Sequence, residues 1–514
     1  MKRVAIIKNR YVDSVTLMGL GARIQALPGV EAAEVQMGTP ANLEVLRSLG
    51  FELPADAGPN DLILAVAGAG AAAVDRALVQ IREQLDHGRR AGAAVYRSLA
   101  EIDLQADPYD LVQISLPGEY AAAEARQALE KGLDVFIFSD NVPLEEELEL
   151  KKLGVAKDRL VMGPDCGVGL INGVALAAGS IVRPGPIGIV GASGSGAQEV
   201  ACIIEKCGSG VSAIIGTGGR DLYPQISGLS MLQGMRRLAA DPGTAVIVLV
   251  SKLADLGVME RALTAADQLA KPVVAVFLGS DASLFQGHRV QGTFSLEAAA
   301  LTAVSLVSGA APEFGPDAAA IAVIAARETA KYRPGQRYLR GLFCGGTFTE
   351  ECLIHLRQTA PEARIFSNLK TRYATRLDSP LQSREHTILD LGSEDFTLDA
   401  PHPVFDPALR LKRLHQELAD PSVAVVLLDF ITGPGVHLDP VTAFAETIRA
   451  TIEQRQGAIT FIASICGSRE DPQDVPAKEQ LLREAGAIVT SSNYQSTRLA
   501  GALLAALEKQ GGER

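Results

Sequence analysis

The chain has 514 residues, enough for three or four domains, and its 47% apolar and 21% charged content describes a soluble globular protein with a sizeable core. A net charge of −12, aromatics at only 5% and no Trp argue against nucleic acid or an anionic membrane as partner. The six cysteines (166, 202, 207, 344, 352 and 466) lack the paired spacing of a zinc site or disulfide framework, so they read as reduced thiols of a cytoplasmic protein. The N-terminus opens straight into a strand. No apolar stretch is long enough to cross a bilayer, and no metal is expected.

Residues 1–95 read as a small α+β unit. Strands are predicted at Val4–Lys8, Ala33–Met37 and Asp61–Val66, and helices at Asp13–Ala26, Asn42–Gly50 and Ala71–Leu85. The arrangement resembles an ACT-like or ferredoxin-like module, of the sort that regulates or joins subunits. Asp86–Gly92 reads as a solvated linker.

From Tyr109 strand and helix alternate, which predicts doubly wound, flavodoxin-like or Rossmann-like parallel sheets in tandem. Leu111–Leu116, Asp134–Phe138 and Leu160–Met162 are strands, and the acidic run Glu145–Glu149 between them reads as a solvated helix face. The third strand enters Gly163-Pro164-Asp165-Cys166-Gly167, a turn at the strand end where open α/β sheets place ligands. Cys166 is a neighbour of that site without an assigned base.

Residues 185–200 carry the strongest signal. The apolar run Ile187–Val190 breaks into Gly191-Ala192-Ser193-Gly194-Ser195-Gly196, and helical spacing follows. A strand, a glycine turn and a helix start aim free amide N–H groups and a positive dipole end at one point, which holds an anion. Ser193 and Ser195 add hydroxyls and a cap. The glycine spacing does not fit a dinucleotide fingerprint; a turn that binds nothing stays open as the other reading. Glu199 is either an acid aimed at the site or a first-turn residue favoured by the dipole.

Further strands are predicted at Val211–Ile215, Ala245–Val250 and Val273–Phe277. The first enters Gly216-Thr217-Gly218-Gly219-Arg220, with Arg220 available to an anion. Ala310–Pro316 is a linker. Residues 338–514 repeat the pattern: strands Tyr338–Phe343, Thr387–Leu391, Val423–Phe430, Ile459–Ile465 and Ala487–Thr490. The turns after the first four carry Gly345-Gly346, Gly392, Gly433-Pro434-Gly435-Val436 and Ser468-Arg469. The Gly433–Gly435 turn is the expected counterpart of Ser193–Gly196, so that two helix openings would enclose one phosphoryl or carboxyl group. Two independent domains sharing no site remain the alternative. His355, His402 and His415 have no metal-ligand spacing.

Gly163-Pro164-Asp165-Cys166, Gly188-Ile189-Val190 and Ser193-Gly194-Ser195 together resemble the α subunit of succinyl-CoA synthetase, and residues 338–514 are similar to the ligase domain of its β subunit. With the small module in front, the order resembles the FdrA family of acyl-CoA-synthetase-like proteins. The resemblance covers about 100–514. It divides the chain into 1–95, a CoA-binding-like Rossmann domain at 96–182, an α-like ligase domain at 183–315 and a β-like ligase domain at 336–514. It implies a subunit of an oxamate carbamoyltransferase of purine and allantoin catabolism, converting oxalurate and phosphate into oxamate and carbamoyl phosphate. An NDP-forming acyl-CoA synthetase subunit and a non-catalytic scaffold are the other readings. The implied partners are a small acyl phosphate or phosphate, further subunits, and a second copy of the chain.

The resemblance has three gaps. The glycine loop that holds the CoA nucleotide is missing, so no cofactor is assigned. The phosphorylated His of the synthetase has its nearest candidate in His288, without the small residues around it, and a solvated loop His is the other reading. No ATP-grasp domain occurs. The expected site is therefore Ser193 and Ser195 as catalytic hydroxyls, Ser193–Gly196 with Gly433, Gly435 and Val436 as phosphate-binding backbone, and a rim of Cys166, Gly218, Gly219, Arg220, Gly345, Gly346, Gly392, Ser468 and Arg469.

Overall fold

A computed structural model describes the chain except for residues 9, 11, 13, 26, 55, 88–95, 97, 107, 399 and 513–514. Most of the expected linker at 86–92 lies outside the described residues. The chain forms two compact units, Met1–Tyr109 with Gly435–Leu438, and Asp110–Pro434 with Asp439–Arg514. Among the described residues no helix is long and apolar enough to cross a membrane, and no group of His, Cys, Asp and Glu could hold a metal ion.

In the first unit β1 (Lys2–Ile7), β2 (Val30–Met37) and β3 (Leu62–Gly68) form an antiparallel sheet in the order β1-β3-β2. Every residue of β3 is buried, because helices cover both of its faces. Leu62, Leu64 and Val66 pack with Leu20, Ile24, Val74 and Ile81, while Ile63, Ala65 and Ala67 meet Leu43, Leu46 and Phe51. The period-2 alternation of side chains along β3 thus feeds two small cores.

The second unit holds three sheets. A parallel one contains β4 (Leu111–Ile114), β5 (Asp134–Ile137) and β6 (Val161–Met162), in that order. The next contains β7 (Val168–Ile171), β8 (Val174–Ala177), β9 (Pro184–Gly191), β10 (Val211–Gly216), β11 (Val246–Lys252), β12 (Val273–Leu278) and β13 (Gln291–Thr293). Its order is β13-β12-β11-β9-β10-β7-β8, parallel except for the β7–β8 hairpin. Residues 168–177 of that hairpin pair within this second sheet and not with β4–β6. Asn172 and Gly173 at its turn both have positive φ (50° and 77°), the geometry a tight hairpin of right-twisted strands requires.

The last sheet is wholly parallel: β14 (Tyr338–Phe343), β15 (Ile365–Ser367), β16 (Thr375–Arg376), β17 (His386–Asp390), β18 (Val423–Ile431), β19 (Thr460–Cys466) and β20 (Ile488–Thr490). Its order is β16-β15-β17-β14-β18-β19-β20. β9 lies between β10 and β11, and β14 lies between β17 and β18. β14 is the first strand of its sheet and β9 the first after the β7–β8 hairpin; each sits where the winding reverses, so the crevice of each sheet opens at its carboxyl end.

Helix Leu144–Lys157 ties the first parallel sheet to the second. Lys151 is fully buried and reaches Glu147 (2.9 Å), Asp221 (2.8 Å) and the Thr217 carbonyl (2.9 Å). Asp221 also accepts the amides of Ser230 and Met231 at the start of helix Leu229–Ala240. Glu147 therefore departs from the solvated face expected of the acidic run: it has no exposed side-chain surface, because a buried lysine on the same helix needs its charge.

Candidate functional site

The two glycine turns that meet follow β9 and β14. After β9, Ser193 caps helix Gly194–Lys206 by accepting the Gly196 amide (3.1 Å). After β14, Gly345 precedes helix Gly346–Thr359. Ser193 Oγ and Thr347 Oγ1 lie 2.6 Å apart, so the helix openings touch through a buried pair of hydroxyls. Among the described residues, the amide N–H groups of Gly194 and Ser195 on one side, and of Gly346, Thr347 and Phe348 on the other, have no hydrogen-bond partner. Gly194, Ser195 and Gly346 are only half-buried, which keeps these donors within reach of a ligand.

Lys252 ends β11, the strand beside β9. A Cβ on Gly346 would lie 3.2 Å from its Nζ and 2.6 Å from Asp390 Oδ2, so only glycine leaves room between helix start, lysine and carboxylate. Lys252 makes no hydrogen bond or ion pair among the described residues. Its field reaches Asp165, Glu350 and Asp390. Burial, with Asp140 adding to it, pushes Asp165 up to about 6. Burial also pushes Asp390 up to about 6 against the pull of Lys252, and raises Glu350. A cation and two dipole ends thus sit among carboxyls that give up charge readily.

The β14 turn is itself held in shape. Asp429 accepts the amides of Cys344 (2.8 Å) and Gly345 (3.0 Å) and is paired with Arg410 (3.0 Å). His402 packs over Gly392, where a Cβ would strike Nε2 at 2.3 Å. Its Nδ1 accepts the Val404 amide (3.2 Å), and burial lowers its pKa to about 4.

The remaining expected residues are placed as follows. Gly433 does not match Ser193–Gly196: it follows β18, the fifth strand of its sheet, which lies beside β14 as β11 with Lys252 lies beside β9. Its amide donates to Gln473 Oε1 (3.1 Å) and its carbonyl accepts from Gln473 Nε2 (2.8 Å). Gly435 and Val436 group with the first unit. The helix after this turn starts at Thr442, and the Asp439 carboxylate caps it by accepting the amides of Val441 and Thr442. Against the cost of burial, Lys478 and Thr442 hold Asp439 down to about 2. That opening is closed by the chain's own anion.

Gly218 and Gly219 pack on the Gly163–Asp165 turn. Arg220 is not free for an anion, since it pairs with Glu147 (2.8 Å) and donates to the Val142 carbonyl (2.7 Å). Ser468 donates to the Ile181 carbonyl, and its amide donates to Asp471. Arg469 is exposed. Cys166 is buried, bonds the Val168 carbonyl (3.5 Å), and is pushed by burial up to about 12. Glu199 is buried and accepts the Asn493 amide (2.8 Å). Both ring nitrogens of His288 are taken, Nδ1 by Asp267 (2.6 Å) and Nε2 by Glu260 (3.0 Å). Thr347, Lys252 and Asp390 were missed by sequence reasoning. The same Cys344-Gly345-Gly346-Thr347 stretch was visible there and ranked below Gly433–Gly435.

Three family models match the tandem sheets and the module before them, and they place the chain among proteins of the CoA-ligase type. A family model described as CoA-ligase matches residues 342–503, one described as a CoA binding domain matches 182–279, and one described as AllF, heavy metal-associated domain, matches 1–99. The YahF protein of Escherichia coli K12 is 39% identical over 507 residues, 97% of this chain and 98% of that one. The chain belongs to the family of YahF, the FdrA family of acyl-CoA-synthetase-like proteins. The α subunit of the ADP-forming succinate–CoA ligase of Methanothermobacter thermautotrophicus is 28% identical over 198 residues, 37% of this chain and 64% of that one. Among solved structures, a dinucleotide-forming acetyl-CoA synthetase of Ca. Korarchaeum cryptofilum is aligned over 82% of this chain and 87% of that one, at 15% identity and TM-score 0.32. The 1–99 stretch contains no cysteine.

Proposed function

We propose that the paired helix openings and Lys252 bind a small acyl phosphate, and that this chain is the carbamoyl-transferring subunit of an oxamate carbamoyltransferase. The observation that carries the acyl-phosphate part is the Ser193–Thr347 contact, with unpartnered amides on both sides and one unpaired lysine beside them. The carbamoyl part rests on the resemblance to the FdrA family. In the reaction a phosphate oxygen attacks the carbamoyl carbon of oxalurate, the bond to the amide nitrogen breaks, and that nitrogen leaves as oxamate with the proton of the phosphate. The openings would hold the phosphate oxygens, and Ser193 and Ser195 would donate to charge gathering on the carbamoyl oxygen.

An NDP-forming acyl-CoA synthetase subunit is the second reading, favoured by the likeness to succinate–CoA ligase. It calls for CoA and a histidine that accepts phosphate. Helix Gly118–Glu130 after β4 has no glycine loop before it, and Gly118 packs on the backbone of Asp140 and Asn141, where a Cβ would come within 2.2 Å. His288 has both nitrogens engaged by carboxylates. The residues present do not fit that group, and no step is derived through it. A non-catalytic scaffold is the third reading.

The test reconstitutes the full chain with the chains that co-purify from its host and assays carbamoyl phosphate from oxalurate and phosphate. Product that disappears in Ser193→Val with Ser195→Leu supports the reading. No product, or acyl-CoA formed from an acid, ATP and CoA, overturns it.

A further inference from the structure

Beyond Lys252, the last residue of β11, Leu253 and Ala254 line an open groove of about 590 Å³ at the carboxyl ends of β11 and β12, whose rim residues Leu256 and Arg372 are exposed. Its wall is apolar at Leu253, Leu256 and Leu284, and polar at Ser280 and Arg372. A groove of this size with a few convergent polar groups has room for a small organic ligand.

Arg372 comes from the other ligase-like sheet, on the turn between β15 and β16. It is fixed by one hydrogen bond to the Gly279 carbonyl (2.6 Å) and by stacking 5.0 Å from the Tyr373 ring centre. Tyr373 Oη donates to the same carbonyl (3.2 Å). Gly279 has φ +81°, and a Cβ there would strike Tyr373 Oη at 2.6 Å, so the crossing of the two sheets depends on that glycine. The rest of the guanidinium fork has no partner among the described residues. The Ser280 hydroxyl is buried and also unpartnered. Both acids on the lining are engaged elsewhere: Glu260 pairs with His288, and Asp281 accepts the Ser283 amide.

We infer that this groove is the seat of the acid half of the substrate, with Arg372 and Ser280 holding a carboxylate and the three leucines holding its body. A planar fork matches a carboxylate by two parallel bonds. The inference rests on the acyl-phosphate reading for its neighbour at Lys252, and the two are separable by ligand.

Calorimetry on the full chain with oxamate, malonate and succinate reads this groove; sulfate reads the Lys252 site. Binding of at least one acid is expected, weakened about tenfold or more in Arg372→Gln and in the groove-filling Leu256→Trp, with sulfate binding unchanged in both. Lys252→Ala should weaken sulfate and spare the acid. If none of the three acids binds, or if the acid binds Arg372→Gln as it binds the parent, the subsite is overturned. Sulfate binding insensitive to Lys252→Ala overturns the acyl-phosphate reading instead.

Discussion

Ser193 and Thr347 are 154 residues apart in sequence, yet their hydroxyls lie within 2.6 Å of one another at the mouths of two helices. Each belongs to the first strand–helix turn of its own sheet, so the contact joins the central turns of two similarly wound sheets. Ser193→Ala removes a helix cap and this contact, costing about 1 kcal/mol by the cap alone. A urea titration should show a lower midpoint with an unchanged slope. An unchanged midpoint would mean that the hydroxyl does not hold the mouth together.

Gly346→Ala places a methyl group 2.6 Å from Asp390 and 3.2 Å from Lys252. Sulfate affinity is expected to fall about tenfold or more, as a 1.4 kcal/mol loss would give, with the circular-dichroism spectrum unchanged. Gly433→Ala should lower thermal stability, because its Cβ meets the Ala178 carbonyl, without changing sulfate affinity. The reverse pattern would return the anion to the Gly433 turn.

Burial holds both Asp165 and Asp390 at about 6. Between pH 7.5 and 5 each takes up a proton and Lys252 loses two opposing charges. Sulfate, which does not titrate in this range, should bind roughly tenfold more tightly at pH 5, a change of about 1.4 kcal/mol. Asp390→Asn should shrink that dependence. A flat profile in the parent chain would place both carboxyls too far from the anion to matter.

Glu351 lies fully buried in the seam between the two ligase-like halves, accepting the Leu296 amide (2.9 Å) and the Asn493 side chain (2.7 Å), with Glu199 and Glu297 close by. Burial raises its carboxyl to about 8. A folded value above the unfolded one means that the native state holds the proton more firmly. The stability this contributes is complete below about pH 4.5 and is lost as pH rises through about 8. Melting temperature should therefore fall between pH 5 and 8.5, and Glu351→Gln should flatten the fall. A fall that persists unchanged in the variant would assign it to other groups.

His288 is raised above its ordinary value, chiefly by its bond to Asp267 and further by Glu260. With Nδ1 bonded to Asp267 and Nε2 to Glu260, neither nitrogen is open to a phosphoryl group. Incubation of the full chain and its co-purifying partners with labelled ATP should leave no acid-labile label. A label absent from His288→Asn would contradict this geometry.

The sheets were readable because buried parallel strands are short apolar runs closed by glycine: Tyr338–Phe343 was placed to the residue, and β9 with its turn was found from spacing alone. The pairing of turns was not readable. Gly433-Pro434-Gly435 and Cys344-Gly345-Gly346 have the same local form, a glycine turn after an apolar strand. What separates them is that β14 is the first strand of its sheet and sits where the winding reverses, while β18 is the fifth, a property of strand order rather than of neighbouring residues. Lys252 at a strand end is indistinguishable from a solvated terminus until Gly346 is brought beside it. The β7–β8 hairpin did carry a local signal, Asn172-Gly173 between alternating residues, and was passed over. Glu147 was hidden in a run of acids whose other members face solvent or are only half-buried.

Because Ser193 and Thr347 come from one polypeptide, the two mouths share a tether, the exposed connection around 309–317. Two such halves on separate chains would have to find each other in solution and be made in matched amounts. Here assembly is a first-order event whose yield is independent of dilution. A protease nick in that tether would turn it back into a second-order one.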